Sequence, residues 1–127
     1  MSTTFEYPDW SRKIVLIAED YDDNYAVLSA LLKKTAVQLL RAHDGKEAIR
    51  MVAEQPDIDV ILMDISMPYL NGIEALRYIK QQFPDKIVIA QTAHGLTQRI
   101  TEEKFDDFLL KPINRKYLIN ILSKYLS

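Results

Sequence analysis

The chain has 127 residues, 48% hydrophobic and 27% charged, with a net charge of -2, which suits one globular domain with a sizeable core and excludes a strongly basic surface for nucleic acid or anionic lipid. It has no cysteine, so disulfides, zinc-thiolate sites and a cysteine nucleophile are excluded. No apolar run approaches the ~18–20 residues that span a bilayer, and the first residues lack the basic-then-apolar pattern of a signal peptide; the sequence predicts a soluble, cytoplasmic module.

Residues 1–12 show no period, although Phe5, Tyr7, Pro8 and Trp10 are too apolar for a free tail; they read as an N-terminal extension or linker before a domain at 13–127. Ile14 to Ala18 is a continuous apolar run of the kind that forms a strand buried on both faces, and it stops at Glu19-Asp20. Asp22 and Asp23 are placed to cap the next helix, in which Asn24, Leu28, Leu31 and Leu32 keep helical spacing. Val37 to Arg41 is a second strand, less purely apolar and so nearer an edge. Asp44 with Glu47 marks a helix start. Ala48, Ile49, Val52 and Ala53 give that helix an apolar face, and Pro56 closes it.

The third strand, Ile58 to Met63, carries the continuous apolar run Val60 to Met63 and ends at a single carboxylate, Asp64. Asn71-Gly72 is a turn signal, and Asn71 with Glu74 opens a helix whose Ile73, Leu76 and Ile79 face inward. After a turn at Pro84-Asp85 come a fourth strand, Ile87 to Ala90, leading into Gln91-Thr92, and a weakly patterned stretch over 95–105. Phe108 to Leu110 is a short fifth strand followed by Lys111-Pro112. Asn114 then caps a last helix with Leu118, Ile121, Leu122 and Tyr125 on one face. Strands alternating with helices predict an α/β fold with a parallel sheet, covered on both faces and joined by right-handed crossovers.

In a parallel sheet all carboxyl ends share one edge, the edge at which open α/β sheets bind ligands. Glu19-Asp20, Asp64, Thr92 and Lys111 therefore converge. Three carboxylates at one place repel unless a cation sits among them, and an oxygen-only donor set without His or Cys suits a hard ion such as Mg²⁺. A hydroxyl and an ammonium beside them make a pocket for an anion with several oxygens. Together the groups describe phosphoryl transfer to a carboxylate nucleophile. Taken singly, each residue has a plainer reading: Asp64 as a helix cap, Thr92 as a strand-end hydroxyl, Lys111 as a surface charge, Phe108 as core, and Asp106-Asp107 as a solvated turn. His43 and His94 have no metal-ligand partner at useful spacing and read as surface residues, with His94 at the rim of the site.

Over about residues 13–127 the chain resembles the receiver domains of two-component response regulators. The motifs are Ala18-Glu19-Asp20, Leu62-Met63-Asp64-Ile65-Ser66-Met67-Pro68, Asn71-Gly72-Ile73-Glu74-Ala75, Gln91-Thr92-Ala93-His94 and Leu110-Lys111-Pro112-Ile113, all in the family's order. Their wording is most like receivers attached to hybrid histidine kinases. The resemblance implies a flavodoxin-like (βα)5 doubly wound sheet of order 2-1-3-4-5. The chain departs from the family between Thr92 and Lys111, where Phe105-Asp106-Asp107 follows Lys104 directly and a few of the family's usual residues are absent, so the helix between strands four and five is expected to be shortened by about a turn (~3.6 residues) or partly unwound.

The resemblance implies that Asp64 is the phosphoacceptor, and that Glu19, Asp20, Asp64 and the Ser66 backbone carbonyl hold Mg²⁺ (or Mn²⁺). It also implies that Thr92 and Lys111 bind the phosphoryl group, that Thr92 and Phe108 form the switch, and that Pro68, Gly72 and Pro112 shape the turns, with Lys111-Pro112 often cis. The implied partners are a sensor histidine kinase or a histidine phosphotransfer domain, with no direct nucleic acid contact, no membrane insertion, and room for a weak phosphorylation-dependent homodimer. The chain would be a phosphoacceptor switch rather than an enzyme, although a parent chain could be a hybrid histidine kinase. Three rivals are weighed against it. A phosphohydrolase with an Asp nucleophile needs a second acid two residues on, where Ser66 stands. A degenerate docking-only receiver would lack the acidic pair or the lysine. A flavin module would need a phosphate-cradling loop, and the chain has only 3 glycines.

Overall fold

The computed structural model describes residues 6–65, 71–93 and 103–127. Five strands, β1 (Ile14–Ala18), β2 (Gln38–Ala42), β3 (Val60–Asp64), β4 (Ile87–Thr92) and β5 (Asp107–Leu110), alternate with helices α1 (Asp22–Leu32), α2 (Gly45–Glu54), α3 (Gly72–Gln82) and α4 (Arg115–Leu126). The strands form one parallel sheet in the order β2-β1-β3-β4-β5. The architecture is therefore the doubly wound α/β fold expected, with β2 at an edge.

Side-chain alternation along each strand feeds two cores. Val15, Ile17, Val60, Leu62, Ile89 and Leu109 pack against Leu28 and Leu32 of α1 and Leu118, Ile119 and Leu122 of α4. Leu16, Ala18, Ile61, Met63 and Val88 pack on the other face against Ala48 and Val52 of α2 and Ala75, Leu76 and Ile79 of α3. Three of the helices start on a side-chain cap. Asp44 accepts from the Glu47 N–H, Asn71 from those of Ile73 and Glu74, and Asn114 from that of Tyr117, a contribution of about 1 kcal/mol each.

Several sequence expectations need correction. Asp22 and Asp23 do not cap α1; its N-cap is Tyr21, with no side-chain cap bond. Strand β2 starts one residue later than expected, because Val37 turns away into the core beside the 3-10 turn Lys33–Thr35. Strand β3 starts at Val60, with Ile58 buried in the loop before it, and Asp64 lies inside the ladder opposite Gln91. Ala53 is exposed rather than part of the α2 face.

Asp106 is exposed at a bend, as expected of a solvated turn, but Asp107 opens β5 and both acids are paired within the chain. Asp106 accepts from the Val88 N–H and from Lys80 at 2.8 Å each, and Asp107 accepts from Tyr125 at 3.1 Å and Lys124 at 3.2 Å. Upstream of the sheet, Trp10 is in the core at 2% exposure and its N–H donates to the Thr35 carbonyl at 2.8 Å. Tyr7 packs on the same cluster, with Lys34 and Arg115 over its ring. Most of the weakly patterned 95–105 stretch, where the shortened helix is expected, lies outside the described residues; Glu103 to Phe105 are in irregular backbone.

Candidate functional site

The carboxyl edge of the sheet gathers the polar residues that the buried strands cannot hold. Glu19 follows β1 directly and is fully buried, and Asp64 ends β3 at 4% exposure. Asp20 is exposed. One carboxylate oxygen from each of Glu19, Asp20 and Asp64 lies within 4.8 Å of the others. Lys111, just past β5, brings its Nζ to 3.5 Å from Asp64 Oδ2. Its N–H donates to the Thr92 carbonyl at 2.8 Å, which ties the ends of β4 and β5 together at the site. Thr92 is buried at 1% exposure, and its hydroxyl donates to the Ala93 carbonyl at 3.1 Å. The structure thus brings Glu19, Asp20, Asp64, Thr92 and Lys111 to one edge. The Lys111–Pro112 peptide is cis.

Gly72 sets how closely α3 approaches. A Cβ there would lie 2.6 Å from the Ile65 Cα and closer still to the Asp64 carbonyl oxygen. Only a residue without a side chain lets the first turn of α3 pack on the backbone that carries Asp64. Phe108 sits opposite Ala90 in the ladder, and its half-buried ring packs on Ile65, Ile73 and Ala90. Ser66 and Pro68, with His94, lie outside the described residues.

The electrostatics are those of a site short of positive charge. Burial, then the charge of Asp64 and a hydrogen bond shared with it, push the Glu19 carboxyl up to about 7; the Tyr21 N–H and the charge of Lys111 offset only part of this. Oε2 of Glu19 accepts from Tyr21 at 3.2 Å, whereas Oε1 is buried with no hydrogen-bond donor. A buried carboxylate oxygen facing another carboxylate needs either a shared proton or a cation. Two buried acids and one exposed acid, with no nitrogen or sulfur ligand beside them among the described residues, fit a hard divalent ion that keeps several waters.

Two polar residues at this edge received no site role in the sequence reading. Gln91, at 1% exposure, has a buried Nε2 without an acceptor and lines a cavity of about 460 Å³ with Asn24, Val27, Leu28, Lys111 and Ile113. A polar residue closing an apolar strand was the available signal. Arg41, near the end of β2, reaches Glu19 and Asp22; nothing in its spacing pointed there.

Comparison with known proteins gives one family. The sequence profile of the response regulator receiver domain matches residues 15–123. The chain is 35% identical over 119 residues to two-component system protein A of Emericella nidulans, matching 90% of this chain but 17% of that protein. It is 37% identical over 120 residues to hybrid signal transduction histidine kinase I of Dictyostelium discoideum, with 86% of this chain and 7% of that protein matched. It therefore spans less than a fifth of the length of either relative. Among solved structures, the receiver domain of a sensor histidine kinase from Pseudomonas aeruginosa superposes with a TM-score of 0.82 at 32% identity, covering 90% of this chain and 97% of that one; it holds a magnesium ion in its active-site cleft. A receiver domain protein from Clostridium thermocellum gives a TM-score of 0.83 at 27% identity over 90% of this chain and 94% of that one.

Proposed function

The chain belongs to the response regulator receiver domain family of two-component signalling, and from that premise we propose that Asp64 is its phosphoacceptor, served in the cytoplasm by a sensor histidine kinase or a histidine phosphotransfer domain. An Asp64 carboxylate oxygen attacks the phosphorus of a phosphohistidine. The P–N bond breaks, the imidazole leaves, and Asp64 carries an acyl phosphate. The observation that carries this reading is the triad of carboxylates with the Lys111 ammonium 3.5 Å from Asp64. A nucleophile, an ammonium for the transferring oxygens and a negatively charged gap between acids that suits a cation stand in one place.

Glu19, Asp20 and Asp64 would hold Mg²⁺, with the Ser66 carbonyl as a further ligand. The orphan Oε1 of Glu19 and the magnesium in the Pseudomonas relative support this. The bound ion supplies charge neutralisation on the transferring group. Lys111 gives up Asp64 to pair with the phosphoryl oxygens. The Thr92 hydroxyl, which now serves the Ala93 carbonyl, turns to the same oxygens. That turn vacates space beside Ala90, into which the Phe108 ring moves. The switch thus links Thr92 to Phe108 and is driven by the added phosphoryl charge. Phe108 has no hydroxyl, so the switch works through packing alone.

Receiver and extension divide at about residue 13, with Tyr7 to Trp10 laid on the receiver's core. Intact mass after incubation with acetyl phosphate and Mg²⁺ tests the reading. Wild type gains one phosphoryl group, and neither Asp64→Ala nor metal-free protein does. An adduct that persists in Asp64→Ala, or forms equally without a divalent ion, overturns it.

A further inference from the structure

Four acids crowd the end of β1, at positions 19, 20, 22 and 23, and spacing alone does not say which of them faces a cation. The structure points to the selector. We infer that Arg41 is a positioning residue for the acidic triad, fixing Glu19 and Asp20 toward the cation site and holding Asp22 out of it; this rests on the Mg²⁺ reading above.

Arg41 lies on the edge strand, opposite Ile17 in the ladder. From there its Nε donates to the Glu19 backbone carbonyl at 3.1 Å, and its Nη1 pairs with Asp22 Oδ1 at 2.8 Å. Its guanidinium lies 4.8 Å over the ring of Tyr25, one turn beyond Asp22 on α1. One side chain thus grips the backbone of a buried acid, the carboxylate that opens α1 and the ring behind it. Helix α1 starts with no side-chain cap, so this grip fixes the β1–α1 junction from outside the helix.

Stability alone does not explain the ion pair with Asp22. Asp22 is 87% exposed in the pair, and such pairs add little to folding. Against that small gain, Nη2 of Arg41 is buried without an acceptor, which is unfavourable. The arrangement makes sense as geometry imposed on a site: the planar fork of Arg reaches two acceptors at once, and the single ammonium of Lys does not.

The test is Mg²⁺ affinity measured by calorimetry on the whole chain at pH 8, alongside the melting temperature without metal. Arg41→Lys keeps the charge and loses the fork. It is expected to weaken Mg²⁺ binding about tenfold, the usual scale for residues that orient metal ligands, with the metal-free melting temperature close to that of wild type. Asp22→Asn is expected to leave Mg²⁺ affinity unchanged. If Arg41→Lys does not fold, the double variant Arg41→Gln/Asp22→Asn, which keeps the net charge, carries the same tenfold expectation. Wild-type affinity in a folded Arg41 variant overturns the inference, as does a lowered melting temperature without a change in affinity. Wild type that binds no Mg²⁺ instead overturns the functional reading beneath it.

Discussion

Asp106 and Asp107 are neighbours in sequence, and Glu19 and Asp64 are neighbours in space, yet the protein treats the two acidic pairs in opposite ways. Every charge of the first pair is answered from within the chain. Lys80 and the Val88 N–H serve Asp106, and Lys124 and the Tyr125 hydroxyl serve Asp107. The second pair is more buried and less answered. Lys111 stands 3.5 Å from Asp64, and an oxygen of Glu19 is buried with no donor. Burial of a carboxylate costs free energy unless it is paired. The chain meets that cost at the lower end of β4 and β5, and leaves it unmet at one oxygen of Glu19 at the carboxyl edge, where a ligand can meet it. The first pair holds the sheet together; at the second, the buried oxygen of Glu19 is left open to the cation proposed above.

The largest effect expected comes from the residue that lets α3 approach Asp64. Gly72→Ala places a methyl group against the Asp64 carbonyl and 2.6 Å from the Ile65 Cα. Backbone cannot yield as a side-chain tip can, so the cost should be about 3 kcal/mol, read as a drop in melting temperature of roughly 10 °C together with slower phosphorylation. A variant of wild-type stability would mean that α3 tolerates a shift and that Gly72 does not set the position of Asp64.

Next come one variant from each acidic pair, with opposite signs. Asp106→Ala strands the Val88 N–H, leaves the Lys80 ammonium only the Lys86 carbonyl, and should destabilise by about 2 kcal/mol in urea denaturation. Glu19→Gln should stabilise the metal-free protein by about 1–2 kcal/mol at pH 8, and by nothing below pH 4.5. The folded pKa of Glu19, about 7, lies above its ordinary 4.5. Below 4.5 the group is protonated in both states and costs nothing. As pH rises from 4.5 to 7 the unfolded chain releases the proton and the folded one holds it, so stability falls; above 7 the loss is complete. The wild-type minus Gln difference should therefore grow through that window and then level off, and Mg²⁺ should shrink it. A difference that is flat with pH would place no strain on Glu19.

The fold was largely legible in the sequence because buried parallel strands are continuous apolar runs. Ile14 to Ala18 and the core of β3 read directly, and Asp44, Asn71 and Asn114 were recognisable as caps from their type and place. The edge-lying Glu19, Asp20, Asp64, Thr92 and Lys111 followed from topology, since strand ends must meet. Long-range partnership was what the sequence hid. Nothing near Asp106 announces Lys80 or Val88, and nothing near Arg41 announces Glu19, because each contact spans 18 to 26 residues. Asp22 and Asp23 misled for the converse reason: acids in a first turn interact well with the helix dipole without capping it, and Tyr21 took the cap position instead.

The smallest effect sharpens the same comparison from within the satisfied pair. Asp107 has two partners of different character. Lys124 is 59% exposed and 3.2 Å away. The Tyr125 hydroxyl lies 3.1 Å from Asp107 and 3.0 Å from the Asp106 carbonyl. Burial, then a hydrogen bond to Asp107 and the charges of both acids, push its pKa up to about 12. If Asp107 is satisfied mainly from the drier side, Tyr125→Phe should cost about 1 kcal/mol or slightly more at any salt concentration. Lys124→Ala should cost about 0.5 kcal/mol or less, and the cost should vanish in 0.5 M salt, where screening is short-ranged. Equal costs, or a salt-sensitive tyrosine variant, would mean that this pair too is held by charge at the surface. The contrast with Glu19 and Asp64 would then be one of degree rather than kind.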